Sequence, residues 1–303
     1  MAQMDATHKN TESGRYTATE HAVFPGIRIA YYSSHVQYAI PDADADVTDQ
    51  VFEIFHCREG RMECNIGADY CYISPGDLLI AKTNRISPSF CFPLHHYHGI
   101  TIRIDTETAP KCLSCFLRDV AVQPKRIAEK FCGEKDYFIA RSNSSVEHIF
   151  SELYNVPAEI QQGYFKIKIL ELMLFLSVFD ASGGASANRS ISQYQVDLAK
   201  DVAKHLTENM DEKFTLEQAA NKFHVSATNI KNAFKAVYGV SYYAFIKTQK
   251  MESAAYMLEY TNKSILEIAN EHGYDNSSKF ASAFRAVKGM APREYRAVHQ
   301  KSN

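Results

Sequence analysis

Two stretches of this chain end in a second half that carries hydrogen-bonding side chains and cations but no carboxylate. The first reads LEQAANKFHVSATNIKNAFKAVYGV. Helical spacing places its Thr228, Lys231, Asn232 and Lys235 opposite the apolar Ile230 and Phe234. The second runs from Ile265 to Pro292 as ILEIANEHGYDNSSKFASAFRAVKGMAP. There the outward side holds Ser278, Ala281, Ser282 and Arg285. Short donors, acceptors and cations of this kind reach base edges and phosphates. No Asp or Glu lies between Glu217 and Glu252, and none between Asp275 and Glu294. A carboxylate on a helix pressed against a polyanion would be repelled, so its absence at both places points to nucleic acid. The plain alternative is a solvated helix face that happens to lack acids.

Other residue clusters suggest weaker chemistry. CFPLHHYHGI brings His95, His96 and His98 together, and imidazole is the commonest side-chain ligand for metals. No carboxylate or Cys stands at suitable spacing beside it, which favours a structural cluster. Cys112 and Cys115 form a Cys-x-x-Cys pair. Redox or zinc use would need a lowered thiol pKa or a second such pair, and neither is visible. Cys57, Cys64 and Cys71 are evenly spaced, which strand alternation alone can produce. No catalytic residue, metal site or cofactor is assigned. For a small-molecule pocket the candidates are polar residues embedded in strands: Glu53, His56, Arg58, His96 and Arg103.

The acid-free stretches need elements to position them. Leu216, Ala219, Ala220 and Phe223 match Ile265, Ile268, Ala269 and His272, each set at helical spacing. A short turn follows, then Ile230, Ala233, Phe234 and Val237 match Phe280, Ala283, Phe284 and Val287. Gly239 and Gly289 close the second helix of each copy. This predicts two helix-turn-helix units. Between them Ser241 to about Tyr260 reads as one helix of roughly 30 Å. One turn of duplex DNA is about 34 Å. A rod of that length would set two helices into successive major grooves.

The rest of the chain has another character. From about Ala22 to Asp105 it reads as short strands with turns at Glu59-Gly60 and Pro75-Gly76. Such a series predicts a small barrel or sandwich. From Cys112 to Phe179 the pattern turns helical. There Phe165, Ile169, Leu172 and Leu176 form one stripe, widened by Ile167, Leu170 and Leu174. A face that broad packs under the strands or pairs with another chain. ASGGASANRS, from Ala181 to Ser190, reads as a flexible linker. Residues 1–20 are polar, read as a flexible tail, and show no signal peptide. No apolar run reaches the roughly 20 residues a bilayer requires. The 303 residues suggest two domains. The net charge of −2 hides an imbalance: residues 191–303 hold 15 Lys and Arg against 12 Asp and Glu, leaving 18 against 23 for the remainder. A basic C-terminal part beside an acidic N-terminal part suggests that one of them meets a polyanion. The 7 Cys, an odd number, fit a reducing cytoplasm.

From about Phe214 to Arg296 the chain resembles the DNA-binding domain of AraC/XylS-type transcriptional regulators. The most specific marks are Ile268-Ala269, Gly273-Tyr274, Phe280, Phe284-Arg285, Gly289, Pro292 and Tyr295-Arg296. EIFHCREGRMECNIGADYCYISPGDLLIA, with Gly60 and Ser74 to Asp77, is similar to the cupin-like barrel that often precedes that domain. The resemblance implies an α+β chain of two domains. Residues 21–180 would be a cupin-like antiparallel barrel with trailing helices, 181–192 a linker, and 193–303 a seven-helix domain. It implies base-facing roles for Thr228, Lys231, Asn232, Ser277, Ser278 and Ser282, and phosphate contacts for Lys235 and Arg285. The second recognition helix carries Ser and Ala where the family often has longer side chains, so the first is expected to specify more sharply. The implied function is a cytoplasmic regulator, an activator, responding to a small-molecule effector. Its implied partners are double-stranded DNA at repeated sites, a second copy joined through helices near 146–179, and RNA polymerase, with no membrane. A metal-dependent cupin enzyme, or a thiol or haem redox sensor, fused to a DNA-binding domain is the alternative. No His-x-His precedes Glu53, which argues against the cupin metal site.

Overall fold

The computed structural model describes residues 5–11, 14–39, 48–111, 113, 122–133, 135–181 and 191–300. The chain divides into two compact units, Met1–Ile191 and Ser192–Asn303. Ten strands of the first unit come early: β1 (Asp5–Thr11), β2 (Gly14–Phe24), β3 (Ile27–Ser34), β4 (Tyr38–Ala39), β5 (Val51–Gly60), β6 (Met62–Ile66), β7 (Asp69–Ile73), β8 (Asp77–Lys82), β9 (Phe90–Cys91) and β10 (Tyr97–Asp105). Then follow α1 (Pro124–Cys132), β11 (Tyr137–Arg141), α2 (Ser144–Leu153) and α3 (Gln161–Val178).

The strands make two sheets. One is seven-stranded in the order β1-β2-β3-β10-β5-β8-β11, and the other is four-stranded in the order β4-β9-β6-β7. All the strand pairs are antiparallel. The expected closed barrel is therefore corrected: among the described residues the ladders end at β1 and β11, and at β4 and β7. Alternating residues show which positions are buried, and they do so equally for a barrel wall and for an open sheet between two layers. Here the large sheet is apolar on both faces. Phe52, Ile54, Leu78, Ile80, Ile100, Ile102 and Ile104 pack with Ile149, Phe150, Ile169 and Leu172 of the helices. Phe55, Cys57, Leu79 and Ala81 pack instead with Met62, Cys64, Cys71 and Ile73 of the small sheet.

Two local expectations also change. Residues 1–20, expected to be loose, include β1 and most of β2, paired from Asp5↔Glu20 to Thr11↔Gly14. The β-branched Thr17, Thr19 and Val23 and the aromatic Tyr16 suit a strand even where the composition is polar. The expected run of helices from 112 to 179 is interrupted by β11, which pairs with β8. Its Tyr137, Phe138 and Ile139 are all buried, and so short an apolar run has no period to read. The predicted stripe of α3 is buried at Phe165, Ile169, Leu172 and Leu176, whereas Ile167 is 61% exposed. The linker expected at 181–190 lies outside the described residues beyond Ala181. Cys112 and Cys115 lie outside them as well.

The second unit is all helical among its described residues: α4 (Gln193–Glu208), α5 (Leu216–Lys222), α6 (Ala227–Tyr238), α7 (Tyr242–Tyr260), α8 (Ile265–Glu271), α9 (Ser277–Lys288) and α10 (Pro292–His299). One core gathers Met251, Ala254, Leu258, Ile268, Ala269, Phe280 and Phe284. Among the described residues, no helix of the chain is long and apolar enough to cross a membrane.

Candidate nucleic-acid interface and ligand cavity

The two repeated units are built alike down to their hydrogen bonds. Thr215 caps α5 and Ser264 caps α8, each in a capping box, with Gln218 and Glu267 as the reciprocal partners. Each helix then ends in the same way. In α5 the Val225 amide donates to the Ala220 carbonyl at 3.0 Å and the His224 amide to Asn221 at 3.3 Å. In α8 the Tyr274 amide donates to Ala269 at 2.9 Å and the Gly273 amide to Asn270 at 2.9 Å. This pairing of bonds requires a left-handed residue at the turn. Gly273 supplies it at φ 74°, and His224 supplies it at φ 55°. Ser226 and Asn276 cap α6 and α9, and the left-handed Gly239 and Gly289 close them.

The inward side of each second helix is apolar. Ile230, Ala233, Phe234 and Val237 are buried in α6, and Phe280 and Phe284 in α9. The outward side carries the candidates. Thr228, Lys231, Asn232 and Lys235 are exposed on α6, as are Ser278, Ser282 and Arg285 on α9, while Ser277 is half-buried. The first face holds free cations: among the described residues neither Lys231 nor Lys235 pairs with a carboxylate, and the Lys235 ammonium donates to the Gly239 carbonyl at 2.9 Å. The second face differs from its reading in sequence. Glu294 of α10 folds back to 3.3 Å from the Arg285 guanidinium, and Lys288 pairs with Glu252 of α7. A stretch without acids in sequence has acquired two in space.

Between the copies α7 spans 19 residues from its Ser241 cap, roughly 28 Å at 1.5 Å per residue. Its Lys250 is buried, and the ammonium donates to the carbonyls of Glu212 at 3.3 Å and His272 at 3.0 Å. One side chain thus ties the segment before α5 to the end of α8, where a cation also suits the helix dipole. Sequence reading passed over this residue. Its signal was a lysine on the buried side of α7, beside Gln249 and Met251.

In the first unit the five pocket candidates do not share one site. Arg103 and Glu53 are cross-strand partners, 3.5 Å apart, on the side of the large sheet that carries Phe55. His96 is half-buried in the turn before β10 and its Nδ1 lies 3.3 Å from the Leu94 carbonyl. His95 is exposed at φ 59°, and His98 packs edge-on against His35. Among the described residues no three His, Cys, Asp or Glu side chains converge as a metal site would require. Burial raises the thiol pKa of Cys57, Cys64 and Cys71, which keeps them protonated and unreactive.

His56 and Arg58 do share a site. They line a cavity of about 420 Å³ with Cys57, Pro75, Gly76, Arg141, Ser142, Glu147, Ser151, Tyr154 and Asn155. It opens on the helix side of the sheet. His56 is 3% exposed and its ring stacks on Phe150 at 4.2 Å. Its Nε2 lies 3.2 Å from the Glu147 carboxylate. Burial lowers its pKa against the opposing pull of Glu147. The Arg58 guanidinium sits 4.6 Å over the Tyr154 ring. Arg141 reaches the Pro75 carbonyl and lies 3.5 Å from Asp77. Arg141, Ser142, Glu147 and Tyr154 escaped sequence reading because they come from elements some 80 or more residues beyond β5 along the chain.

Comparison with known proteins bears on the second unit. A family described as a helix-turn-helix domain matches residues 219–297. An uncharacterised HTH-type transcriptional regulator of Bacillus subtilis, YfiF, is 34% identical over 105 residues, 35% of this chain and 33% of that protein. The transposon Tn10 TetD protein of Escherichia coli is 31% identical over 104 residues, 34% of this chain and 75% of that protein. The melibiose operon regulatory protein of Escherichia coli is 27% identical over 158 residues, 49% of this chain and 51% of that protein. The chain thus spans a third of the first and about half of the third. With its two copies of one helix-turn-helix unit and the relatives those copies match, the chain belongs to the AraC family of DNA-binding transcriptional regulators.

Proposed function

We propose that this chain is a ligand-responsive transcription activator that reads two successive major-groove segments of duplex DNA. α6 presents Thr228, Lys231 and Asn232 to base edges, and α9 presents Ser277, Ser278 and Ser282. Lys235 and Arg285 meet phosphates. The observation that carries the reading is the outward face of α6: exposed hydrogen-bonding groups and cations without a carboxylate partner, on a helix whose opposite side is locked into the core. The 19 residues of α7 suit the spacing of two grooves. Against the three serines of α9, the longer Lys231 and Asn232 of α6 carry more of the specificity.

The first unit binds a small effector in the cytoplasm and pairs two copies of the chain through α2 and α3. Effector binding changes the spacing of the two DNA-binding units and their access to RNA polymerase. The name of the melibiose operon regulatory protein supports operon control as the physiological output. DNA binding by the full chain, followed by fluorescence anisotropy on a selected operator and on scrambled duplex, tests this. Replacing Lys231 and Asn232 with Ala should relax the preference between the two duplexes, by about 1–3 kcal/mol for each base that is no longer read. Lys235→Ala should weaken both alike and reduce the salt slope by about one. Unchanged discrimination in the double variant would overturn the groove assignment.

A further inference from the structure

We propose that the cavity between β5, the turn before β8 and α2 is the effector site, and that it takes a small hydroxylated carboxylate. This rests on the regulator reading above and adds to it a place and a chemical class. The place is the helix side of the large sheet, away from the space between the two sheets where Glu53 and Arg103 pair.

Two observations select the class, and a third ties the cavity to the helices. Two guanidiniums, Arg58 and Arg141, stand in the wall, whose one lining carboxylate is Glu147; outside the wall Glu59 lies 3.6 Å from Arg58 and Asp77 lies 3.5 Å from Arg141. Both arginines retain exposed surface, at 47% and 64% of their side chains, so both can turn toward an anion. A planar carboxylate is the ligand that a guanidinium fork fits best. Beside Cys57, Pro75 and Gly76 the remaining wall carries the polar Ser142, Ser151, Tyr154 and Asn155, which suits hydroxyls better than an acyl chain.

The second observation concerns buried polar atoms. Tyr154 Oη, Ser142 Oγ and His56 Nδ1 are each buried without a hydrogen-bond partner, and all three residues line this one cavity. A buried polar atom without a partner is destabilising, and residues that leave several around one cavity are suited to a ligand that supplies them. The chemistry of each is defined. A carboxylate only accepts, so Glu147 fixes the proton of His56 on Nε2 and leaves Nδ1 an acceptor for a ligand hydroxyl. Burial keeps the Tyr154 hydroxyl protonated and therefore a donor. The volume of about 420 Å³ lies within the range of small-molecule sites.

The third observation is what the cavity touches. Glu147 and Ser151 belong to α2, and Tyr154 caps it. α2 is tied to α3 through Lys168, which pairs with Glu152, and through Tyr164, whose hydroxyl donates to Glu152 at 2.9 Å. A ligand bridging the arginines and Tyr154 would clamp α2 against the sheet and so act on the helix that carries the exposed Ile167.

Calorimetry and thermal melting of the full chain with galacturonate, gluconate and lactate, beside galactose and glucose as neutral controls, test the proposal. At least one acid should bind, and its neutral counterpart should bind at least tenfold more weakly. Arg58→Gln should weaken the acid at least tenfold. Tyr154→Phe deletes only the unpartnered hydroxyl, so it should leave the ligand-free melting temperature unchanged or higher while weakening the acid about threefold or more. Binding of none of the acids, equal binding of a neutral sugar, or wild-type affinity in both variants would overturn it. An operator-binding measurement on the same samples separates the failures. If the chain binds its operator while no acid binds, the cavity assignment falls and the regulator reading stands. If it binds no duplex at all, the regulator reading falls.

Discussion

Glu294 lies 3.3 Å from Arg285, across the break between α9 and α10, so the α9 cation that we propose meets phosphate is held by an acid. The same carboxylate accepts the Ala291 amide at 2.8 Å and caps α10. Both bonds lower its pKa, the backbone bond first. On that proposal DNA must compete for Arg285, whereas among the described residues Lys231 and Lys235 on α6 have no carboxylate partner to compete with. Glu294→Gln keeps the capping geometry and removes the charge. It should tighten binding to any duplex by about two- to fivefold at low salt, the scale of an exposed ion pair. The slope of log affinity against log salt should steepen, since one more cation is available to displace counterions. An unchanged slope would place Arg285 off the phosphates.

The two helix-turn-helix units differ at one backbone position, and stability should report it. His224 holds φ 55° where Gly273 holds φ 74°. A side chain in that region is strained, so His224→Gly should stabilise the chain by about 0.5–1 kcal/mol, read as a higher denaturation midpoint. Gly273→Ala should do the reverse by about 1 kcal/mol or more, because a Cβ there would stand 3.0 Å from the Asp211 carbonyl oxygen. Equal effects of the two changes would mean that the turns are not equivalent.

Where the sequence was legible, a local rule sufficed. Gly239, Gly289 and the spacing of Phe234 and Phe284 carry the helix ends and buried sides of the repeat, and the predicted rod from Ser241 to Tyr260 is α7 with Ser241 as its cap. Where it was not, two distant residues meet. Glu294 reaches Arg285 only because α10 turns back on α9. Arg58 of β5 meets Tyr154 at the end of α2 across 96 positions, and no periodicity encodes that. Glu53 and His56 looked alike as polar residues in one strand. Their opposite parity sends one to Arg103 between the sheets and the other to Glu147 beneath α2.

The apolar residues left outside α3 bear on assembly. Ile160, Ile167 and Val178 are 52%, 61% and 80% exposed, and half-buried Leu170 and Leu174 lie between them. That spacing is one helical stripe. If a second copy covers it, Ile167→Asp would bury a charge and cost the interface about 2 kcal/mol or more. Sedimentation of the full chain should then move from dimer to monomer while the ligand-free helical content stays the same. A variant that remains dimeric would exclude this face of α3.

Acid should loosen the second helix-turn-helix unit through a single imidazole. His272 is 1% exposed, at the end of α8, where the first copy has Phe223. Its Nδ1 lies 2.7 Å from the Ile268 carbonyl and so carries the proton, which leaves Nε2 to titrate within the core. Burial is the main cause that lowers its pKa below the usual 6.5; Lys250 and Lys263 add to this, while the Ile268 carbonyl and Glu271 oppose it. The unfolded chain then binds a proton near the usual value, and the folded chain only at lower pH. Between the two values the unfolded state holds more protons, so stability rises with pH. The contribution of His272 is fully present above about pH 6.5 and is lost as pH falls through the folded value. His272→Phe, which copies the first unit, removes that titration. The melting temperature of the variant relative to wild type should therefore stay level from pH 7.5 to about 6.5 and rise as pH falls from there to 5, whatever the other histidines contribute to both chains. A difference that stays flat across that range would show that His272 is not the titrating group.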